Sequence, residues 1–288
     1  MSRSALAADA DTGMVMSEVD WLRTHYEACA AGYEEQLEFC EFEPGSRLID
    51  VGCGPGFFLP SLAGRLGSGG EIVACDVSQS HLDYARQRHG EQINGCAIRY
   101  QLANAIDLPF ADGSFDGYWT ANVSQYLDDT QFRRMIAEAR RTTRGGGRVA
   151  FKDWDAALFR VEPAETGTAQ RLMDTCNRAY LAGSSVPVTM NIHRATTYSH
   201  IRGWLSAAGL RDARQHSTLI EFSAPLSEGH RIWSERLLRM FAQVAHQLNS
   251  PDQEFWSQFS NKAPADTIIA DPDFYCAEGS MVGVALVS

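Results

Sequence analysis

Apolar positions recur at helical spacing from Val19, placing Trp21, Leu22, Tyr26, Ala30, Tyr33 and Leu37 on one stripe that stops before the turn signal Glu43-Pro44-Gly45. Beyond it, short apolar runs alternate with helical stretches, the pattern of an open parallel sheet whose strands are joined by helices. The apolar runs at 47–51, 71–76, 96–102, 115–120, 148–154, 217–222 and 281–287 predict seven strands. Helical periodicity predicts helices over 57–66, 79–89, 129–142, 168–182 and 197–208, the last stopped by Gly209. The run Gly145-Gly146-Gly147 reads as a turn into the fifth strand.

Between the last two strands lies an extra block, 225–278. Trp233, Leu237, Phe241, Val244 and Leu248 form a helical stripe, and Ser250-Pro251-Asp252-Gln253 has the composition of a helix start, followed by Phe255, Trp256 and Phe259. A packed helical pair and a substrate-covering lid both fit this pattern. The expected organisation is an α/β, doubly wound, mostly parallel seven-stranded sheet with helices on both faces and added helical cap elements. Residues 1–42 would form a tail and cap helix, 43–223 the α/β core, 224–278 the helical insertion and 279–288 the final strand.

Composition narrows the partners. The 288 residues are 44% hydrophobic and 21% charged, which excludes intrinsic disorder. A net charge of −11 argues against a nucleic-acid partner, which would call for a basic face. No uncharged apolar run approaches the roughly 18 residues of a membrane span. Residues 1–16 include Asp9 and Asp11 and hold no continuous apolar segment, so no export signal is expected. The seven cysteines form no Cys-x-x-Cys pair and read as reduced thiols in a cytoplasm. The eight histidines show no His-x-x-x-His spacing, and no metal centre is expected.

The informative segment is LIDVGCGPGFF, 48–58. A glycine-rich turn between a buried strand and a helix lets a ligand come close to backbone N–H groups that a Cβ would shield. Gly52, Gly54 and Gly56 are spaced more tightly than in the dinucleotide fingerprint. Asp76 closes the second strand, twenty residues beyond Gly56, where a carboxylate can accept from both hydroxyls of a ribose.

The ordered series LIDVGCGPG, ACDVS, ANAIDLPFADGSFD and RRTTRGGGRVAF resembles the class I S-adenosylmethionine-dependent methyltransferases, within them the ubiquinone/menaquinone-type and natural-product methylases. The resemblance is strong over 43–153 and weaker from Thr197 onward. It implies a Rossmann-like sheet, S-adenosylmethionine as cofactor and a small-molecule acceptor. It also implies roles for particular residues. Gly52, Cys53, Gly54 and Gly56 would line the methionine part, with Asp50 holding its ammonium end directly or through water. Asp76 would take the ribose hydroxyls, Val77 would pack on the adenine, and Asn104 and Ala105 would read its edge. Asn122 would face the methionine, and His25 and Tyr26 lie on an N-terminal helix that in such enzymes folds over the cofactor.

Two positions depart from the family. Asn104 stands where an Asp is usual, although an amide oxygen can still accept from the adenine amine. His81 replaces an apolar residue that covers the adenine, and would either stack there or cap a helix face. Candidates for a general base are Tyr126, His193 and His25. Acceptor walls are expected from Trp21, Phe159, Met173, Tyr180, Met190, Trp233 and Phe241. Two alternatives share the pattern: a cofactor-binding protein of this fold that does not methylate, such as a cyclase or regulatory subunit, and a nicotinamide-dependent oxidoreductase.

Overall fold

The computed structural model describes residues 17–181, 201–243, 245–261 and 267–288. Five strands run parallel at its centre: β1 (Arg47–Val51), β2 (Glu71–Asp76), β4 (Cys96–Leu102), β5 (Phe115–Ala121) and the start of β6 (Thr143–Glu162). β3 (Gln92–Ile93), β7 (Arg211–Ser223) and β8 (Tyr275–Leu286) join antiparallel, giving eight strands in the order β3-β4-β2-β1-β5-β6-β8-β7.

The helices are α1 (Val19–Cys40), α2 (Leu59–Leu66), α3 (Gln79–His89), α4 (Asp129–Thr142), α5 (Thr168–Leu181), α6 (Ile201–Ala207), α7 (Glu228–Ala242) and α8 (Asp252–Asn261). α4 begins where the sequence supplies a reciprocal cap: the Asp128 carboxylate accepts from the Gln131 amide, and the Gln131 side chain accepts from the Asp128 amide.

Strand alternation sorts the central residues between the two faces of the sheet. Leu48, Ile72 and Ala74 pack with α2 and α3, whereas Ile49, Val51, Val73 and Cys75 pack with α4 and α6. A third core lies under the inserted block, where Trp233, Leu237, Phe241, Trp256 and Phe259 pack with Tyr33, Phe159 and Phe222.

The structure revises the sequence-based expectation in several places. β7 and β8 each begin six residues before the expected starts, at Arg211 and Tyr275, so the last strand reaches into the expected insertion. The eighth strand is the two-residue edge strand β3, too short and polar to leave a periodic signal. The triple glycine is not a turn before a strand but part of β6. Pairing with β5 shifts from Phe115 opposite Thr143 to Gly117 opposite Arg148, so the glycines take up a bulge. β6 also runs on to Glu162, eight residues past the expected end, because its second half pairs with β8.

The strand order reverses at β1: the chain leaves it for β2 and β4 on one side, then returns to β5 on the other. In open α/β sheets a ligand crevice forms at such a switch point, outside the carboxyl ends of the strands. The residues that follow β1, β2, β4 and β5 meet there.

Candidate active site

A cleft opens at this switch point. Of the residues expected to hold a cofactor, Tyr26, Gly52, Cys53, Gly54, Asp76, Val77, His81, Asn104, Ala105 and Asn122 line it. Ser17, Leu22, Tyr33, Phe57 and Phe58 complete the wall beneath α1.

The glycine turn works differently from the expectation. Its amides are not offered to the cleft: those of Gly52 and Cys53 donate to the Cys75 carbonyl at 2.7 and 2.9 Å, and that of Gly54 donates to Asp76 Oδ2 at 2.8 Å. What the glycines supply is space. At Gly52, with φ +72°, a Cβ would overlap the Val123 side chain, and at Gly54, with φ +54°, it would stand in the cleft near Leu22. Gly56 is not part of the wall; it faces Leu59, Ala85 and His89, where it lets α3 approach the turn.

Asp76 is buried and fixed from both sides. Its Oδ1 accepts from the Ser78 amide at 2.9 Å while Oδ2 holds the turn, which aims the carboxylate along the cleft wall with lone pairs to spare. Val77 beside it is 56% exposed, an apolar face suited to a flat ring. His81 does not cover this face: its Nε2 bonds the Ser17 carbonyl at 2.8 Å, and its backbone amide donates to the Ser78 cap at 3.2 Å. The residue therefore ties the segment preceding α1 to the floor of the cleft. Asn104 Oδ1 accepts from the Ile106 amide at 3.2 Å, forming a local turn that sets the rim.

Asp50 sits behind the wall rather than in it. Burial, with the Asp76 charge adding to it, raises its carboxyl to about 8, and Oδ2 has no hydrogen bond among the described residues. A buried carboxyl with an open oxygen beneath the turn fits a cationic group reaching it directly or through water.

Asn122 follows β5 with φ +58°, and its Oδ1 accepts from Lys152 Nζ at 2.8 Å. Lys152 is fully buried, 4.0 Å from the centre of the Tyr33 ring, and burial lowers its ammonium to about 8. Tyr33 Oη is 2.8 Å from His25 Nε2. Glu278 Oε1 lies 3.5 Å from the same nitrogen and accepts from Cys29 Sγ at 2.7 Å and Trp233 Nε1 at 3.2 Å.

Of the expected bases, His25 and Tyr126 reach the cleft, and His193 lies outside the described residues. A smaller cavity adjoins it, walled by Trp21, Trp154, Trp233, Leu237 and Met240. The expected acceptor wall divides accordingly. Trp21 and Trp233 line this cavity, whereas Phe159, Met173 and Phe241 are core residues; the side chains of Tyr180 and Met190 lie outside the described set. Sequence reasoning missed Tyr33, Lys152, Trp154 and Glu278 as members of the site. Lys152 carried the one available signal, a charged residue inside an expected buried strand; Glu278 stood at the end of the expected insertion and became a strand residue only in β8.

Residues 48–147 match the family model described as a methyltransferase domain. Over this stretch the chain is similar to a methyltransferase domain. Its ordered motifs resemble those of the class I S-adenosylmethionine-dependent methyltransferases. The O-methyltransferase resE of Aspergillus sclerotiorum is 36% identical over 109 residues, covering 38% of this chain and 40% of the relative. The demethylmenaquinone methyltransferase of Symbiobacterium thermophilum is 31% identical over 134 residues, 46% of this chain and 49% of the relative. The matches thus span about half or less of these relatives. In fold, the methyltransferase domain and its additions are similar to Haemonchus contortus phosphoethanolamine N-methyltransferase 2 solved with S-adenosyl-L-methionine, with a TM-score of 0.55 at 15% identity over 93% of this chain and 56% of that one. The YcgJ protein of Bacillus subtilis gives a TM-score of 0.53 at 14% identity over 92% and 100%.

Proposed function

We propose that the protein transfers the methyl group of S-adenosylmethionine to a small-molecule acceptor. The observation that carries this reading is Asp76, held by the Gly54 and Ser78 amides so that its carboxylate faces the cleft beside the exposed Val77. That pair suits the ribose and base of a nucleoside. Gly52 and Gly54 leave room for the amino-acid end, and the open Asp50 oxygen offers its ammonium a partner. Bound S-adenosylmethionine supplies a methyl group already made electrophilic by its sulfonium. The chain's contribution is then to hold the nucleophile in line and exclude water, an effect worth on the order of 7–11 kcal/mol. Tyr26, Tyr33, Phe57 and Phe58 form the apolar cover on that side.

The acceptor belongs in the tryptophan-walled cavity, which meets the cleft at Leu22, His25, Asn122 and Tyr126. Tyr126 and His25 are the residues placed to touch the reacting atoms. A small apolar acceptor, not a nucleic acid, suits its size and the acidic surface. We read residues 224–278 as a packed wall of this cavity rather than a moving lid, because Trp233, Leu237, Phe241, Trp256 and Phe259 are buried in one core with β6 and β7. The six described cysteines are free and buried, which suits a reducing cytoplasm. Among the described residues no helix is long and apolar enough to cross a membrane.

Incubation with methyl-labelled S-adenosylmethionine and a panel of phenols, amines and prenyl compounds tests the reading. Label appearing in an acceptor supports it. Tight binding of S-adenosylmethionine with no label in any acceptor favours the non-methylating alternative.

A further inference from the structure

The junction between the two cavities carries more chemistry than positioning requires. Among the described residues, His25 Nδ1 has no hydrogen bond, while Nε2 faces Tyr33 Oη at 2.8 Å and Glu278 Oε1 at 3.5 Å. The imidazole lies flat on the Trp233 indole, with centroids 4.3 Å apart and planes at 13°. That indole in turn donates to Glu278 at 3.2 Å, so one tryptophan fixes both the histidine and its carboxylate. Such a carboxylate–imidazole pair sets the tautomer, leaving the far nitrogen free to take a proton.

We propose that His25 is the general base of the reaction, that Glu278 is its positioning carboxylate, and that the acceptor is a neutral aromatic hydroxyl compound held among Trp21, Trp154 and Trp233. The proposal rests on the methyl-transfer reading above. Three observations select the acceptor. Trp21, Trp154 and Trp233 wall the cavity, and aromatic walls favour a flat ring, which stacks in offset or edge-on geometry. The Trp154 N–H is buried without a partner among the described residues and supplies a donor to a polar substituent. His25 faces the Glu278 carboxylate on β8; Lys152 and Asp153 of β6 are the charges next to that carboxylate, and the neutral Cys29 and Tyr33 of α1 also touch the pair. The Lys152 ammonium already serves as the cationic partner of the buried Glu278 and Asp153 carboxylates, which disfavours a second, substrate ammonium.

In the step, the acceptor O–H proton moves to His25 Nδ1 as its oxygen attacks the methyl carbon. The O–C bond forms, the S–C bond breaks, and its electron pair stays on sulfur. The imidazolium left behind faces Glu278. The same His25, Cys29 and Glu278 atoms lie within 4.8 Å of one another, a set that could instead hold a metal ion, so metal content is part of the test.

The probe is para-nitrophenol, added to the full chain saturated with S-adenosylhomocysteine, with benzylamine as the ammonium comparison. The expected result is saturable quenching of tryptophan fluorescence by the phenol but not by benzylamine. The bound phenol should also show phenolate absorbance at pH values where the free phenol is protonated. His25→Asn should retain S-adenosylhomocysteine binding and lose the phenolate signal, and Glu278→Gln should move its midpoint to higher pH. Turnover of any methylated phenol should fall by roughly 10²–10⁴-fold in His25→Asn. Should Glu278→Gln fail to fold, His25→Asn decides alone, since its ring is partly exposed. The proposal is overturned if no quenching occurs, if benzylamine binds in preference, or if the phenolate signal survives His25→Asn. It is also overturned by stoichiometric zinc whose removal with EDTA abolishes activity and whose return restores it. Failure of wild-type protein to bind S-adenosylhomocysteine would instead overturn the methyl-transfer reading.

Discussion

The Asp76 carboxylate accepts a hydrogen bond from the Gly54 amide at 2.8 Å, so the end of β2 holds the glycine turn that follows β1. One side chain therefore shapes the parts of the cleft proposed for both the ribose and the amino-acid end of the methyl donor. Asp76→Ala is expected to release the Gly54 amide, and faster hydrogen exchange at that position would report it. The loss of hydrogen bonds to a charged group, about 1.5–3 kcal/mol each, should weaken cofactor binding tenfold or more. Unchanged exchange at Gly54 would separate the carboxylate from the turn.

The two glycines that face the cleft should differ when substituted. Both have positive φ, so an Ala at either costs roughly 1–2 kcal/mol of backbone strain. Gly52→Ala also drives its methyl into Val123, whereas Gly54→Ala meets only Leu22 Cδ1 at 3.7 Å. Thermal melts should show the larger stability loss for Gly52→Ala. Equal losses would mean that Val123 moves aside freely.

Asp50 gives a pH signature. Its carboxyl is raised by burial, and by Asp76, to about 8, so the folded protein keeps a proton that the unfolded chain has already released. Stability contributed by this group is thus present at low pH and falls as pH rises toward 8, by at most about tenfold in the folding constant per pH unit. Lys152, lowered to about 8 by burial, acts on the alkaline side of that window and with the opposite sign. Asp50→Asn should flatten the fall in stability between about pH 5 and 8, measured by urea denaturation at a series of pH values. Parallel curves for wild type and variant would contradict this.

Phe241 tests whether the inserted block is wall or lid. It is fully buried, with its ring 5.0 Å from that of Phe159 on β6 and 6.0 Å from that of Trp154. Phe241→Ala should cost about 3–5 kcal/mol and leave a single cooperative unfolding transition. A small loss, or a separate early transition, would indicate a block that moves independently.

Much of this architecture is legible in the sequence because it is local. The glycine turn, Asp76 and the capping pair Asp128 and Gln131 announce themselves over a few residues, and strand alternation at Leu48, Ile49 and Val51 assigns the two faces. The proposed base site is not local. His25 and Glu278 lie at opposite ends of the chain and meet only because β8 inserts between β6 and β7 and α1 packs across them. Glu278 reads as the last residue of the inserted block, and Tyr33 as one more apolar position in a helical stripe. His81 shows the converse: a motif position implied contact with adenine, but its ring turns to the Ser17 carbonyl. Which neighbour a ring nitrogen finds depends on tertiary packing that a family pattern does not encode.

Calorimetric titration with S-adenosylhomocysteine decides whether the cleft beside Asp76 holds the methyl donor. The wild-type protein should bind one molecule per chain, with affinity reduced at least tenfold in Asp76→Ala. No binding to wild type, or equal binding to both proteins, would contradict this.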